Sequence, residues 1–278
     1  MTFEPEQLGQ SLQELAASLK GLRKRSGLSG DRVAQRMHVS QSKVSRIENG
    51  KVRPSVLDVE QYLRAVEAPA DLVAEAMALA KSANTEWQDF RNLRRKGLDK
   101  KQQELATLEK TSTEFRFFLL SMITSLLSTP DYIRASLAHV PGDHSRTVSR
   151  KLERQEVLYD TRKRFTFLLS ELAVKWPLVQ APAMAIQLDR LVSVSRLPNV
   201  RLGVIPARGH MPIAPMDTFT IYDTILTTAE TTTGVVVLRD PRDVAAYLEL
   251  FGSLENYALF DDGARDFLVE CADKARDL

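Results

Sequence analysis

The stretch of sequence that decides the fold is Val33-Ala34-Gln35-Arg36-Met37-His38-Val39-Ser40-Gln41-Ser42-Lys43-Val44-Ser45-Arg46-Ile47-Glu48-Asn49-Gly50. It predicts two short helices joined by a tight turn, because Ser29 and Ser40 are N-cap residues and the stretch ends in a helix stop. Val44 and Ile47 lie three residues apart on the second helix and are expected to face the core. Its other side chains can hydrogen-bond base edges and phosphates when the helix lies in the major groove. They are Gln41, Ser42, Lys43, Ser45 and Arg46.

A longer run, from Leu28 to Ser55, resembles the helix-turn-helix of the phage-repressor family (Cro-like, xenobiotic-response-element). The short helices, the turn, the Glu-Asn-Gly end and the following proline fall in that family's order. The resemblance implies base contacts from the start and middle of the third helix, and an ion pair between Arg23 and Glu48. The further DNA-binding residues that it implies are Asn49, Lys51 and Arg53.

The turn between the two helices departs from that family in one residue. The family usually has glycine there, whereas this chain has His38. Such a turn residue often needs positive φ, which histidine tolerates better than most side chains do. We therefore expect His38 to fit the turn.

Composition sets the class of the protein. The 278 residues can hold two domains, and 44% hydrophobic with 27% charged residues is typical of a soluble globular protein. The longest apolar run, Phe115 to Leu127, is interrupted by polar residues and is shorter than a membrane span. Because the start of the chain also lacks a basic-then-apolar leader, we expect a cytoplasmic protein without membrane contact.

Charge is distributed unevenly along the chain. Residues 19–55 carry ten Lys or Arg and two acidic residues, which suits a polyanionic partner. Residues 217–278 carry thirteen Asp or Glu and five Lys or Arg, so DNA should repel this end. We therefore expect the first part to bind DNA and the last part to serve another purpose.

Three segments follow from periodicity and composition. Residues 1–83 are expected to form an all-α, five-helix helix-turn-helix domain, followed by a charged helical connector over 84–112. Residues 113–278 are expected to form an α+β domain with a small mixed sheet of roughly three to five strands. This second domain is the predicted site of regulation, partner binding and dimerisation.

Several stretches of the second domain have the composition of strands or helices. Phe165–Leu169 fits a strand, but without clean alternation it equally fits a buried helix turn. The better strand candidates are Val200–Ile205, Asp217–Tyr222 and Gly234–Leu238. Helices are expected over 145–163, 183–194, 241–254 and 261–277.

The second half resembles the large C-terminal domain of antitoxin-like helix-turn-helix regulators from actinomycetes. The resemblance rests on scattered positions, which are Leu126–Ala135, Arg154-Gln155, Glu171, Gln187–Leu191, Val204–Pro206 and Phe219-Thr220. It implies association with a small partner protein. That family usually has Pro-Gly where this chain has Thr124-Ser125, which affects any contact made by that loop.

The residues that carry chemistry in other proteins are dispersed here. The four histidines are widely separated, and the single Cys271 excludes both an intramolecular disulfide and a multi-cysteine metal site. The sequence therefore predicts no metal site and no cofactor. No glycine-rich phosphate loop or nucleophile elbow is present in the sequence. Arg208-Gly209-His210 fits either a binding loop or an ordinary surface loop, and Glu171 with Lys175 fits a simple i,i+4 pair better than a polar site.

The sequence therefore predicts a sequence-specific DNA-binding transcription regulator that is not an enzyme. It is expected to bind an inverted-repeat operator as a homodimer, with the interface in residues 113–278 and its apolar reserve at Phe115–Leu127. The effector is expected to be a small partner protein or, second, a small ligand. Two alternatives stay open: an antitoxin that neutralises a toxin by direct contact, and an enzyme fused to a DNA-binding domain.

Overall fold

The computed structural model describes residues 5–89 and 98–278. They divide into two compact units. The first contains the described residues up to Gln88 together with Gly234–Val244, and the second contains those from Asp89 to Thr233 and Ala245–Leu278. As predicted, the fold is an all-α helix-turn-helix domain of five helices followed by an α+β domain with a mixed sheet.

The five N-terminal helices enclose an apolar core. They are α1 (Pro5–Arg25), α2 (Gly30–Arg36), α3 (Gln41–Glu48), α4 (Val56–Ala65) and α5 (Ala70–Asn84). Leu15 and Leu19 of α1, Val33 of α2, Ile47 of α3 and Val59 of α4 are all at most 1% exposed. Because these residues recur at helical spacing, each helix buries one stripe against the others and leaves its polar face outward.

Serine residues fix the starts of three of these helices. Ser29 Oγ accepts a hydrogen bond from the Arg32 N–H, and Ser40 Oγ accepts one from the Lys43 N–H, both at 3.2 Å. Ser55 forms a reciprocal capping box with Asp58. Each cap satisfies an N–H that would otherwise lack an intrahelical partner.

The segment predicted as a helical connector, 84–112, contains two kinds of structure. Thr85–Asp89 forms strand β1 instead of helix, Leu98–Thr111 forms helix α6, and residues 90–97 lie outside the described part. Strand β7 (Gly234–Leu238) is the neighbour of β1, and the Arg239 N–H donates to the Asn84 carbonyl at 3.2 Å. This pairing explains why Gly234–Val244, which the sequence assigned to the second domain, belongs to the first unit.

The second unit contains five strands with the order β6-β5-β2-β3-β4. These strands are β2 (Glu114–Leu119), β3 (Arg164–Ser170), β4 (Val200–Ile205), β5 (Thr218–Tyr222) and β6 (Leu226–Glu230). β2, β3 and β4 are parallel, whereas β5 is antiparallel to both β2 and β6. The predicted strands at Val200–Ile205 and Asp217–Tyr222 are confirmed within one residue.

Burial on both faces explains the lack of alternation in β3. Phe165, Phe167, Leu168 and Leu169 are all at most 1% exposed, as in parallel strands that are covered on each side. Phe165 stacks on Phe115 of β2, with ring centroids 4.6 Å apart. The strand interpretation of Phe165–Leu169 is therefore correct, and the helix-turn alternative is wrong.

Helices accompany the sheet in the second half of the chain. They are α7 (Pro130–Leu137), α8 (Ser145–Glu153), a 3₁₀ helix (Arg154–Tyr159), α9 (Glu171–Lys175), α10 (Ala181–Val194), α11 (Pro241–Glu255) and α12 (Asp261–Arg276). The single helix predicted over 145–163 is wrong in its second half, which tightens to 3₁₀ at Arg154 and ends at Tyr159. Cys271 is buried on α12.

The apolar run Phe115–Leu127, expected to supply a dimer interface, is largely used inside the second unit. Phe115, Phe118, Leu126 and Leu127 are at most 1% exposed, and only Met122 of the run is a large exposed apolar side chain. This part of the prediction is wrong, because aromatic residues on a central strand pack against neighbouring strands. Across the two described ranges, no helix combines the length and apolar character needed to cross a membrane.

Candidate DNA-binding surface

Helix α3 presents a polar arc outward. Val44, Ile47 and Glu48 are buried. With about 100° between successive residues, the opposite arc runs from Gln41 through Ser45 and Asn49 to Arg46. Gln41, Ser42 and Arg46 are exposed, and Ser45 is partly so. The structure therefore brings four of the five side chains named for base reading onto one outward face.

The turn before α3 is closed by His38. Its φ is 54°, the positive value that the turn was expected to need. The His38 N–H donates to the Gln35 carbonyl and the Val39 N–H donates to the Ala34 carbonyl, the two hydrogen bonds of a Schellman motif. Gly50, with a φ of 62°, closes α3 in the same way. Residues in the left-handed conformation therefore close the turn before α3 and the turn after it.

A buried cluster beneath α3 holds it to α1. Arg23 donates two hydrogen bonds to the Glu48 carboxylate, Nε to Oε1 at 2.7 Å and Nη2 to Oε2 at 2.8 Å. The Tyr62 hydroxyl lies 2.7 Å from Glu48 Oε1 as well. This places together the two residues of the ion pair that the family resemblance implied; Tyr62 is a partner that the sequence interpretation did not include.

Ionisation of Glu48 is favoured despite its burial. Burial alone would raise the pKa of this carboxyl, but the hydrogen bonds from Arg23 and Tyr62 outweigh it and hold the pKa below its usual range. The same carboxylate raises the pKa of Arg23. The pair is therefore charged at neutral pH. It positions α3 from the buried side of that helix.

Two of the predicted DNA contacts already have partners within the protein. Lys43 Nζ donates to Asp58 Oδ1 at 2.7 Å, so this ammonium points toward α4. Asn49 donates to the Ser45 carbonyl at 2.7 Å and accepts from Lys20 Nζ at 3.1 Å. The pattern Ser55-x-x-Asp58, a capping box, is the sequence signal that could have indicated how Asp58 is held.

The two basic residues after α3 differ in exposure. Lys51 is exposed, whereas Arg53 is partly buried. The Lys51 N–H donates to the Arg46 carbonyl at 2.9 Å, which fixes the backbone at the end of α3. Lys51 is therefore placed to approach a phosphate beside the outward face of α3.

A second cluster of polar contacts lies in the second unit, where the parallel strands β2, β3 and β4 end. We call these ends, with the segments that follow them, the carboxyl edge. Glu171, after β3, accepts from Lys175 Nζ at 2.5 Å and from the Ala207 N–H, after β4, at 2.7 Å. The Lys175 hydrogen bond is the main reason why the pKa of Glu171 is lowered. Glu171 thus joins the start of α9 to the loop after β4 instead of standing free as a general base.

The segment after β2 is anchored by two glutamine side chains. Gln187, fully buried, accepts from the Thr129 N–H at 2.7 Å and donates to the Leu127 carbonyl at 3.0 Å. Gln155 donates to the carbonyls of Ser125 and Ser128, both at 2.7 Å. Both glutamines are among the positions that carry the family resemblance, which implied no role for them. In the structure they hold the backbone of this loop.

Large apolar side chains are exposed along the same edge. Met122, Leu172, Trp176 and Met216 are 41–88% exposed. Hydrogen bonds tie their segments together: Ser170 Oγ donates to the Leu120 carbonyl, and the Leu120 N–H donates to Thr218 Oγ1. These hydrogen bonds therefore connect the segments that carry exposed apolar side chains at the carboxyl edge.

Two family models match the chain. Residues 14–76 match a family model described as a helix-turn-helix domain, and residues 102–270 match one described as Domain of unknown function (DUF5753). No curated protein matches the chain.

Two solved structures match part of the chain at low similarity. One is Nuc, a phospholipase D family member from Salmonella typhimurium, at 14% identity and a TM-score of 0.33, covering 57% of this chain and 90% of Nuc. The other is TrmBL2, an archaeal chromatin protein, at 8% identity and a TM-score of 0.33, covering 64% of this chain and 53% of TrmBL2.

Proposed function

Because the chain belongs to the family of the domain of unknown function DUF5753 and begins with a helix-turn-helix domain, we propose that it is a sequence-specific transcription regulator of the Cro-like type. The observation that carries the proposal is the outward face of α3, where Gln41, Ser42 and Arg46 are exposed on a helix that a buried ion pair holds in place. Arginine suits guanine and glutamine suits adenine in the major groove.

The test separates base reading from phosphate binding. A preferred duplex is first selected by the full-length protein from a random pool. Arg46→Ala is expected to lose about 1–3 kcal/mol on the selected duplex and little on random sequence, whereas Lys51→Ala should weaken both alike. If Arg46→Ala weakens both duplexes equally, Arg46 does not read bases.

Dimerisation on an inverted repeat completes this part of the proposal. One α3 spans only a few base pairs, and readers of this type gain specificity from two recognition helices about one DNA turn apart. The selected duplex should therefore contain two related half-sites in inverted orientation. Inverting or shifting one half-site should reduce the affinity to that of a single half-site, measured by gel shift. Sedimentation of the free protein measures whether it is a dimer.

We also propose that the second unit binds a small partner protein and catalyses no reaction. Support comes from the carboxyl edge, where Met122, Trp176 and Met216 are exposed and the nearby carboxylate of Glu171 is occupied by Lys175 and the Ala207 N–H. Flexible thioethers and exposed aromatic rings both suit contact with the apolar face of a polypeptide. The direct-contact antitoxin is the same proposal with a toxin as the partner.

Co-purification from the native host tests partner binding. A partner held at the carboxyl edge should be lost with Trp176→Ala or Met216→Ala and kept with Ile186→Ala, which removes an exposed apolar side chain of α10. Loss with all three variants would argue against this edge as the docking site. Recovery of a stable complex between the unmodified protein and a toxin would favour the antitoxin function.

A further inference from the structure

The ion pair between Lys43 and Asp58 joins α3 to α4. Lys43 Nζ lies 2.7 Å from Asp58 Oδ1, and the two side chains are 40% and 17% exposed. Lys43 stands at the flank of the outward arc of α3, about 60° beyond Arg46 in helical projection. Its ammonium is therefore close to the surface that meets DNA, but it is directed at a carboxylate of the protein.

Asp58 is held in place independently of Lys43. Its second oxygen, Oδ2, accepts from the Ser55 N–H at 3.1 Å, and its own N–H donates to Ser55 Oγ at 3.0 Å. Burial would raise the pKa of this carboxyl, but the hydrogen bonds from Lys43 and Ser55 outweigh it and lower the pKa. The hydrogen bonds with Ser55 therefore hold the Asp58 carboxylate in place whether or not Lys43 is bound to it.

A lysine ammonium on a flexible stem binds carboxylate and phosphate in the same way, as a point charge. Sequence-independent affinity for DNA comes from such phosphate contacts, and each contact steepens the salt dependence of binding. A carboxylate that occupies Lys43 therefore competes with the DNA backbone for it.

We infer that Asp58 limits the protein's affinity for non-operator DNA by holding Lys43 away from phosphates. This inference rests on the proposed function, because it assigns a role within DNA binding. It reverses the expectation that Lys43 is one of the DNA-contacting residues, and it makes Asp58 a determinant of specificity that touches no base.

The experiment measures binding of the full-length protein to a duplex of random sequence over a range of salt concentrations. Asp58→Asn removes the charge but keeps an amide oxygen for the Ser55 N–H, so the capping box persists. The variant should bind random duplex more tightly at low salt, and the slope of log K against log salt should steepen by about 0.9. Thermal melting checks that the variant is folded.

Two further variants separate the release of Lys43 from a general change in charge. In Lys43→Gln/Asp58→Asn the slope should return to that of the unmodified protein, because no lysine is left to release. Asp71→Asn, which removes one exposed carboxylate at the start of α5, should leave the slope unchanged.

The outcomes are distinct. An unchanged slope in folded Asp58→Asn overturns the inference, as does an equal steepening in the double variant or in Asp71→Asn. If the unmodified protein fails to bind any duplex at low salt, the proposed function itself is wrong, which is a different result.

Discussion

Glu48 in the helix-turn-helix domain and Gln187 in the second unit perform the same structural task in different ways. Both are buried polar side chains with several hydrogen bonds, and each fixes a segment next to a proposed binding surface. Glu48 does so with a charge that Arg23 and Tyr62 stabilise, whereas Gln187 uses a neutral amide that binds backbone groups. The difference predicts unequal sensitivity to mutation and to acid.

The largest expected effect comes from removing the charge at Glu48. Glu48→Ala leaves the Arg23 guanidinium partly buried without its carboxylate, and breaking a buried pair on one side costs about 3–5 kcal/mol. The helix-turn-helix domain should therefore loosen or unfold. Hydrogen exchange of the α1 and α3 amides, compared with the second unit of the same chain, measures this locally.

Glu14→Ala is the matched control, since Glu14 is exposed on α1. It should change stability by no more than about 0.5 kcal/mol, as surface substitutions usually do. Exchange rates that do not differ between Glu48→Ala and Glu14→Ala would mean that the pair contributes nothing.

Removing the amide at Gln187 should have a smaller effect. Gln187→Ala leaves the Thr129 N–H and the Leu127 carbonyl without their partner, and a buried unsatisfied group costs about 1–3 kcal/mol. We expect lower stability of the second unit and faster exchange of the Thr129 amide, with the helix-turn-helix domain unaffected. Gln180→Ala, at the exposed N-cap of α10, is the control.

Protonation of Glu48 sharpens the comparison further. Its pKa is lower in the folded than in the unfolded protein, so its contribution is complete above the usual value of 4.5 and is lost as pH falls through the lower, folded value. Gln187 does not titrate. The stability of the unmodified helix-turn-helix domain should therefore fall more steeply in acid than that of Glu48→Gln, measured by denaturant unfolding at several pH values. Parallel curves would contradict a lowered pKa.

The same comparison explains which parts could be predicted from the sequence. In the helix-turn-helix domain, caps, apolar spacing and the stop at Gly50 act within a few residues of each other, so the sequence alone indicates the outward face of α3. The partner of Lys43 lies 15 residues away on α4. It depends on how two helices cross, which local patterns do not specify.

In the second unit, the decisive contacts are further apart. Gln187 reaches Thr129 across 58 residues, and the buried pair of Arg154 with Glu109 spans 45. Strands β2 and β6 were not predicted, because β2 lies within the apolar run Phe115–Leu127, which was expected to supply a dimer interface, and β6 is a short segment with two threonines. The prediction of an α+β class succeeded because it needed only local composition and periodicity, whereas strand pairing and register depend on tertiary contacts.

The smallest expected effect concerns the turn at His38. A left-handed conformation costs a side-chain-bearing residue about 1–2 kcal/mol, whereas glycine adopts it freely but loses about 0.5–1 kcal/mol more entropy on folding. His38→Gly should therefore raise the free energy of unfolding by roughly 0.5–1 kcal/mol, the difference between these costs. Thermal melting of the full-length protein, with exchange at α2 and α3, measures the gain.

Gly27 provides the reverse substitution in the same domain. Its φ is 69° and an added Cβ would meet no atom within 4 Å, so Gly27→Ala isolates the backbone cost of a left-handed residue. It should lower stability by about as much as His38→Gly raises it. If Gly27→Ala destabilises and His38→Gly does too, then the imidazole itself stabilises the turn, and the positive φ of His38 is compensated by contacts that glycine cannot make.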